Sequence, residues 1–455
     1  MELIKMKKEI FREYDIRGIY EKELDINGAY TFGRAYGSYV TDKKIIVGRD
    51  NRESSDSLHT ALIIGLIESG AEVLDIGLVT TPMYYYAKKK FDYTNGIMIT
   101  ASHNPREYNG FKISFSKIGN AFGKDIMDFY DYVCKLDFKE DLGSIEFADI
   151  KEDYLNNFKN SIDLGPKKIK AVIDCGNGTG SVIVHDIMEM FDNIECEYLY
   201  CDSDPRFPNH HPDPSVKENN IDLANKVKEL GYDIGIGIDG DADRVGIVLE
   251  NGEYISADLV MLIFYRALNN KMKNRKAVFD VKCSKTLIDG LEDMNMPYEM
   301  YRTGASYLNY KANTDDFDFA GEFSGHLVFR DKYPGFDDGI YAGVRLIEIL
   351  SNTGSKASEL LDNTNKYYQT EEIKVPVTDD DKFDIVNKVK VYCLNHKYPY
   401  VDIDGVRATF DDSWALVRAS NTGPNLTVRF EAKTEERLNE IKNEFMGIID
   451  EYKGM

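Results

Sequence analysis

The stretch TASHNPREYNGFKIS (100–114) places Ser102 directly after the apolar run Gly96–Ile99, with His103, Asn104, Pro105, Asn109, Gly110 and Lys112 behind it. A hydroxyl at a strand end, beside an imidazole and an ammonium, reads either as a helix-capping turn or as a nucleophile that carries phosphate. A second stretch, GIGIDGDADRVGIV (235–248), sets Asp239, Asp241 and Asp243 at every second position after another apolar run. Three carboxylates so close repel one another unless a cation or strong donors neutralise them. An all-oxygen set without His or Cys suits a hard ion such as Mg²⁺ rather than zinc. A calcium EF-hand loop is excluded. Glu250 falls at its twelfth place, but the sixth, where that loop needs glycine, holds Arg244.

Two further stretches carry polar side chains of a binding type. GEFSGH (321–326) brings Glu322, Ser324 and His326, an acceptor, a hydroxyl and an imidazole, into one glycine-flanked loop. It suits sugar hydroxyls, and equally a surface turn. RASNTGPNLTVRFEA (418–432) offers Arg418, Ser420, Asn421, Thr422 and the backbone around Gly423, with Arg429 as a second charge. Many donors and few acceptors are how a protein grips phosphate, although a polar turn has the same composition. DCGNGTGS (174–181) lacks both the third glycine of a dinucleotide-binding GxGxxG and the GK[ST] of a P-loop, so it reads as a tight strand-to-helix turn. PNHHPDP (208–214) reads as a rigid loop rather than a metal pair.

These segments need a scaffold. At 455 residues the chain exceeds what one core organises, and 43% hydrophobic with 29% charged residues describes a globular protein. A formal charge of −22 argues against nucleic acid or an anionic membrane surface as the partner. No secretory or membrane-spanning run is present, and the six cysteines lack a CxxC pair, so reduced thiols and a cytoplasmic setting are expected. Short β-rich runs alternate with helical segments. Lys44–Gly48, Glu72–Gly77, Lys168–Asp174 and Lys276–Val281 predict strands, and Ser57–Ser69 a helix. The rhythm restarts twice. Three similar α/β domains are expected, followed by a smaller α+β domain with helices at 379–395 and 434–452. The divisions fall at 1–148, 149–251, 252–366 and 367–455.

Taken together, the segments resemble the α-D-phosphohexomutase family, in order along the whole chain. YDIRG (14–18), TASHNP…NGFK, DGDADR, GEFSGH…GFDDGIY and RASNT match its active-site segments, and GFDDGIY (335–341) is most similar to the phosphomannomutase/phosphoglucomutase type. The resemblance implies four domains with mixed sheets around a central cleft. It implies that Ser102 carries a phosphoryl group, with Mg²⁺ between that phosphate and Asp239, Asp241 and Asp243. Tyr14, Arg17, His103, Lys112 and Arg244 would line the transferring group. Lys282, Glu322, Ser324 and His326 would bind the sugar, and Arg418 to Gly423 the phosphate that is not reacting. The implied reaction interconverts hexose 1- and 6-phosphates, mannose or glucose, through a 1,6-bisphosphate that also serves as activator. The chain would work as a monomer or small homo-oligomer, with its last domain moving over the cleft. His103, Lys112 and His326 stay open as acid–base groups.

One departure stands out. The family pattern has a histidine in a TGHS-like loop where this chain reads Thr303-Gly304-Ala305-Ser306. Phosphoglucosamine mutase is the alternative within the family, although Phe323 stands where that subgroup has glutamine. A sugar phosphatase using the same serine and a non-catalytic paralogue are the readings from other classes.

Overall fold

A strand buried on both faces of a sheet reads as an unbroken apolar run rather than an alternating one. Lys44–Arg49, Asn95–Ile99, Ile169–Asp174 and Ile234–Ile238 are such runs, and each is an inner strand of its sheet. The computed structural model describes residues 1–378, 380–420 and 423–453. Asn421 and Thr422 of the expected phosphate grip lie outside the described residues.

The first sheet orders its strands Ile16–Ile19, Tyr108–Phe115, Asn95–Ile99, Lys44–Arg49, Glu72–Leu78 and Ser144–Phe147. Its first two pairings are antiparallel and the rest parallel. The second runs Tyr254–Ile255, Val245–Leu249, Ile234–Ile238, Ile169–Asp174, Ile194–Leu199, again half antiparallel and half parallel. The third joins Tyr298–Tyr301, Ala277–Asp280, Phe319–Gly321 and Leu327–Phe329. The last sheet is wholly antiparallel, built on Val406–Thr409, Ser413–Ala419 and Asn425–Ala432 and backed by the helices Asp381–His396 and Glu435–Lys453. Three α/β units with mixed sheets and a smaller α+β unit are thus present. The second sheet extends past residue 251, because Tyr254–Ile255 pairs with Val245–Leu249.

The cores explain how rigidly the units hold the site. One apolar cluster runs from Ile46, Tyr84 and Met98 through Ile173 and Ile236 to Phe279 and Phe329, so the first three units share buried surface. The last unit has its own core around Val389, Phe430 and Ile441. It meets the third unit through a small apolar cluster of Val281, Trp414 and Leu416 and through hydrogen bonds that include Arg407 Nη1 to Val281 O and Cys283 O and Lys285 N to Glu431 Oε1. Separate cores joined by a small apolar contact are the arrangement that lets one unit swing. All six cysteines are free. Among the described residues no helix is long and apolar enough to cross a membrane.

Candidate active site

Open α/β sheets present ligands at the carboxyl ends of their strands. Four of the expected segments sit at such ends. Ser102 follows Asn95–Ile99, the acidic trio follows Ile234–Ile238, Lys282 follows Ala277–Asp280, and Glu322 follows Phe319–Gly321.

Ser102 occupies the left-handed region with φ 50° and is buried. A non-glycine residue there costs about 1–3 kcal/mol unless its surroundings enforce it. Thr100 Oγ1 accepts from the Ser102 amide at 2.8 Å. The larger constraint is Arg52, whose guanidinium donates to four loop carbonyls. These are Ser102 O at 2.7 Å, Asn104 O at 2.6 Å, Pro105 O at 2.8 Å and Tyr108 O at 3.0 Å. The turn points Ser102 Oγ at Asp239 Oδ2, 3.0 Å away, with His103 Nδ1 at 3.3 Å. Gly240 makes this approach possible. A Cβ there would lie 2.4 Å from Ser102 O.

Asp239, Asp241 and Asp243 are fully buried, and each offers an oxygen to a common point. Lys112 Nζ donates to Asp241 Oδ2 at 2.7 Å and to Asp243 Oδ2, and Thr81 Oγ1 to Asp241 Oδ2 at 2.6 Å. Thr81 is delivered by the helix Thr81–Lys90, which Thr80 caps by accepting from Met83 N. Burial and the neighbouring carboxylates push Asp239 well above the usual carboxylate range. Asp241 Oδ1 and Asp243 Oδ1 remain buried without a hydrogen-bond partner. Orphaned acceptors within a group of three buried carboxylates are what a hard divalent cation satisfies, so the trio fits a metal.

The remaining charges divide by role. Lys112 is held protonated, its two aspartates outweighing burial. His103 is held well below its ordinary value by burial and by Arg244 and Arg17, so its ring is neutral. Arg244 Nε donates to His326 Nε2 at 2.9 Å, while His326 Nδ1 faces Asp337 Oδ2 at 2.6 Å. With Arg244 as the donor, His326 Nε2 is the acceptor in that contact. Burial opposes charging this ring, but Asp243 and Asp337 raise its proton affinity overall. Arg17 donates to Asn104 Oδ1 at 2.7 Å and pairs with Asp15.

A second group lies around Thr303–Gly304. Glu322 accepts from Gly304 N and from Ser324 Oγ, the latter at 3.2 Å. Asp404 Oδ2 accepts from Thr303 N at 3.0 Å and pairs with Arg418 Nη2 at 3.0 Å. This loop therefore ties the Glu322 segment to the Arg418 segment through its backbone, which explains why it persists with alanine at 305. Tyr14 packs its ring on Gly304 and lies within electrostatic reach of Arg418, Glu322 and Arg17. Lys282 Nζ pairs with Glu372 at 2.9 Å. Lys382 Nζ donates to Ser420 O at 2.9 Å.

Arg429 differs from the expectation of a second phosphate charge. Its guanidinium stacks 3.7 Å from the Phe323 ring centroid and donates to Lys282 O and to Gln369 Oε1. Strand register explains this. Arg407 and Arg429 both pair with Leu416, so all three face the third unit.

Arg52, Thr81, Asp337, Glu372 and Asp404 were not among the sequence candidates. GRDNRESS (48–55) carried a readable signal, an arginine just past a strand end, but nothing local says that it serves carbonyls fifty residues on.

Family models for phosphoglucomutase/phosphomannomutase match in sequence order, with α/β/α domain I at 8–133, domain II at 152–252, domain III at 256–367 and the C-terminal domain at 372–448. The chain belongs to the phosphoglucomutase/phosphomannomutase family. It is 39% identical over 442 residues to a phosphomannomutase/phosphoglucomutase of Pseudomonas putida, covering 96% of this chain and 94% of that protein. It is 36% identical over 450 residues to a phosphoglucomutase of Neisseria gonorrhoeae, covering 97% of each. The crystal structure of a phosphoglucomutase/phosphomannomutase family protein from Burkholderia thailandensis superposes with a TM-score of 0.90 at 32% identity, covering 98% of both chains.

Proposed function

We propose that the chain is a hexose phosphate mutase, an isomerase that moves a phosphoryl group between O1 and O6 through phosphorylated Ser102. The observation that carries this is the strained, Arg52-held turn that aims Ser102 Oγ at the buried trio, 3.0 Å from Asp239. Phosphoryl transfer asks a protein mainly for alignment and charge neutralisation, and both are built in here. Mg²⁺ on Asp239, Asp241 and Asp243 would supply Lewis-acid neutralisation of the phosphoryl oxygens.

The chain's own residues do the rest. Lys112, Arg244 and Arg17 face the transferring group with fixed positive charge. In the first half-reaction the Ser102 Oγ–P bond breaks, a P–O bond forms to the free sugar hydroxyl, and that hydroxyl's proton passes to a neutral acceptor. His103 is held in that form and Lys112 as a donor, while at His326 Asp243 and Asp337 raise the proton affinity. The second half-reaction returns the other phosphoryl group to Ser102. Arg418, with the turn to Gly423, holds the distal phosphate in both orientations of the 1,6-bisphosphate. Glu322 and Ser324 meet the sugar hydroxyls. Phe323 offers no hydrogen bond to an amino sugar and is covered by Arg429, which favours mannose and glucose over glucosamine.

Ser102→Ala tests the reading. It should abolish conversion of glucose 1-phosphate and mannose 1-phosphate and remove the phosphorylated species from the intact mass, with the melting transition retained. Substantial turnover in that variant would assign the phosphoryl group to another residue. Release of inorganic phosphate in place of isomerisation by the wild type would make it a phosphatase.

A further inference from the structure

The joint between the first and third units leaves a solvent-open cavity of about 200 Å³ that the proposed reaction does not use. Tyr85 and Asn309 form the wall between it and the trio. Tyr85 lies within electrostatic reach of Lys112, and Asn309 Nδ2 donates to Asp337 Oδ1 at 2.9 Å. In a chain of net charge −22 its lining is basic, with Lys88, Lys89 and Lys117 against one acid, Asp92; Lys117 pairs with Asp92 at 2.6 Å, and Lys89 donates to Pro334 O across the joint.

Lys88 is the unusual member. It is 3% exposed, and its ammonium donates to neutral groups, Ser114 Oγ and Gly119 O. Among the described residues no carboxylate reaches ion-pair distance, and burial pushes Lys88 down to about 7. An ammonium buried without a counter-charge is costly. Three lysines in the last turn of the helix Thr81–Lys90 do complement its dipole. That accounts for Lys89 and Lys90. It does not account for Lys88, whose head turns inward to the 114–119 turn. Asn309 supplies the opposite deficit. Its Nδ2 bonds to Ala305 O and Asp337 fix the amide's orientation, and its Oδ1 is left buried with no donor. The cavity thus combines a lysine with no anion beside it and a buried acceptor with no donor.

We propose that this cavity is a second anion site, distinct from the catalytic cleft, for a small molecule bearing a phosphate group. Lys88 and Lys89 hold the phosphate, Lys117 joins them by exchanging Asp92 for it, and Asn309 Oδ1 accepts from a hydroxyl once the ligand uncovers it. Its volume is below that of usual ligand pockets, which restricts it to small anions.

Calorimetric titration of the full-length chain with Mg²⁺ tests this, using orthophosphate and glycerol 3-phosphate as probes and glycerol as the uncharged control. A phosphate site is expected that Arg418→Ala retains. Lys89→Glu/Lys117→Glu, both on exposed side chains, should weaken it by on the order of tenfold or more while leaving mutase turnover unchanged. Lys88→Met should weaken the same site. Tighter binding of glycerol 3-phosphate than of orthophosphate identifies an organic phosphate using Asn309, and the reverse identifies free phosphate. If every phosphate bound is lost with Arg418→Ala, or none is weakened by the lysine substitutions, the proposal is overturned, and the mutase reading is untouched.

Discussion

Arg52→Lys is the substitution that most sharply separates positioning from chemistry. Arg52 is buried, forms an ion pair with Asp50 at 3.3 Å, and spends its fork on the carbonyls of Ser102, Asn104, Pro105 and Tyr108. Lysine keeps the charge but directs three donors tetrahedrally from one atom, so at least one buried carbonyl is left without a donor. Each such orphan costs about 1–3 kcal/mol. The left-handed Ser102 backbone, itself about 1–3 kcal/mol uphill, loses its enforcement by a similar amount. We therefore expect a stability loss of about 1–3 kcal/mol by denaturant unfolding. A displacement near 1 Å at the nucleophile should lower kcat by about 10²-fold. KM should change little, because Arg418, Glu322 and Ser324 belong to other units. Steady-state conversion of glucose 1-phosphate to glucose 6-phosphate, with intact mass to follow phosphorylation of Ser102, reads both. A variant that loses stability but turns over within twofold of wild type would show that the loop keeps its shape without the guanidinium.

Chelation should abolish turnover, and Mg²⁺ should restore it and raise Tm in proportion to log concentration, because only the folded chain assembles the trio; a verified metal-free protein with full activity would refute the metal assignment. Gly240→Ala places a Cβ against the backbone oxygen of Ser102, so at least about 1–3 kcal/mol of stability and most of kcat should be lost together, and unchanged kinetics would contradict the close approach. Lys88 has a folded pKa depressed to about 7 from an ordinary 10.5. Between those values the unfolded chain holds a proton that the folded one does not, so stability rises with pH. The slope approaches about 1.4 kcal/mol per unit above pH 7 and is lost as pH falls through 7. Unfolding of Lys88→Met from pH 7.5 to 9.5 should lack that slope, and an identical slope would show that Lys88 stays charged when buried.

Much of the architecture was legible because apolar runs and helical periodicity are local properties. Glu72–Leu78, Ile169–Asp174 and Ala277–Asp280 fall within two residues of where their composition puts them. The helices expected at 379–395 and 434–452 are Asp381–His396 and Glu435–Lys453. The site was legible where chemistry concentrates in one segment, as in Ser102 with His103 and Lys112, or in the acidic trio. What stayed hidden acts between segments. Asp337 matters because a helix of the third unit docks on the metal loop, where Gly339 N donates to Ala242 O at 2.9 Å. Thr81 matters because a cap turns it toward Asp241. Arg429 carries the right charge for a phosphate, and its strand register turns it into the joint instead.

The pairing of charges in the cleft bears on how a bisphosphate can turn over there. Arg17 lies on Asp15, Lys112 on Asp241 and Asp243, Lys282 on Glu372, and Arg418 on Asp404. Each of these cations is buried, so each needs a counter-charge whether or not a ligand is bound. A phosphate that reaches Arg418 or Lys282 therefore exchanges with a carboxylate rather than filling an empty electrostatic well. The net gain is small in each direction. An enzyme that must grip either phosphate of one intermediate, release it and grip the other is served by such exchange, since binding an intermediate too firmly would hold it in one orientation. Asp404 also accepts from Thr303, and Glu372 lies in the last unit between Tyr368–Gln369 and Ile373–Pro376, both paired to Asn425–Ala432. Exchange at these two carboxylates is thus coupled to how the last unit sits on the third. There the apolar contact is a small cluster around Trp414 rather than a shared core. A shift of the last unit on the third would therefore carry Glu372 and Asp404 with it and change both charge pairs together.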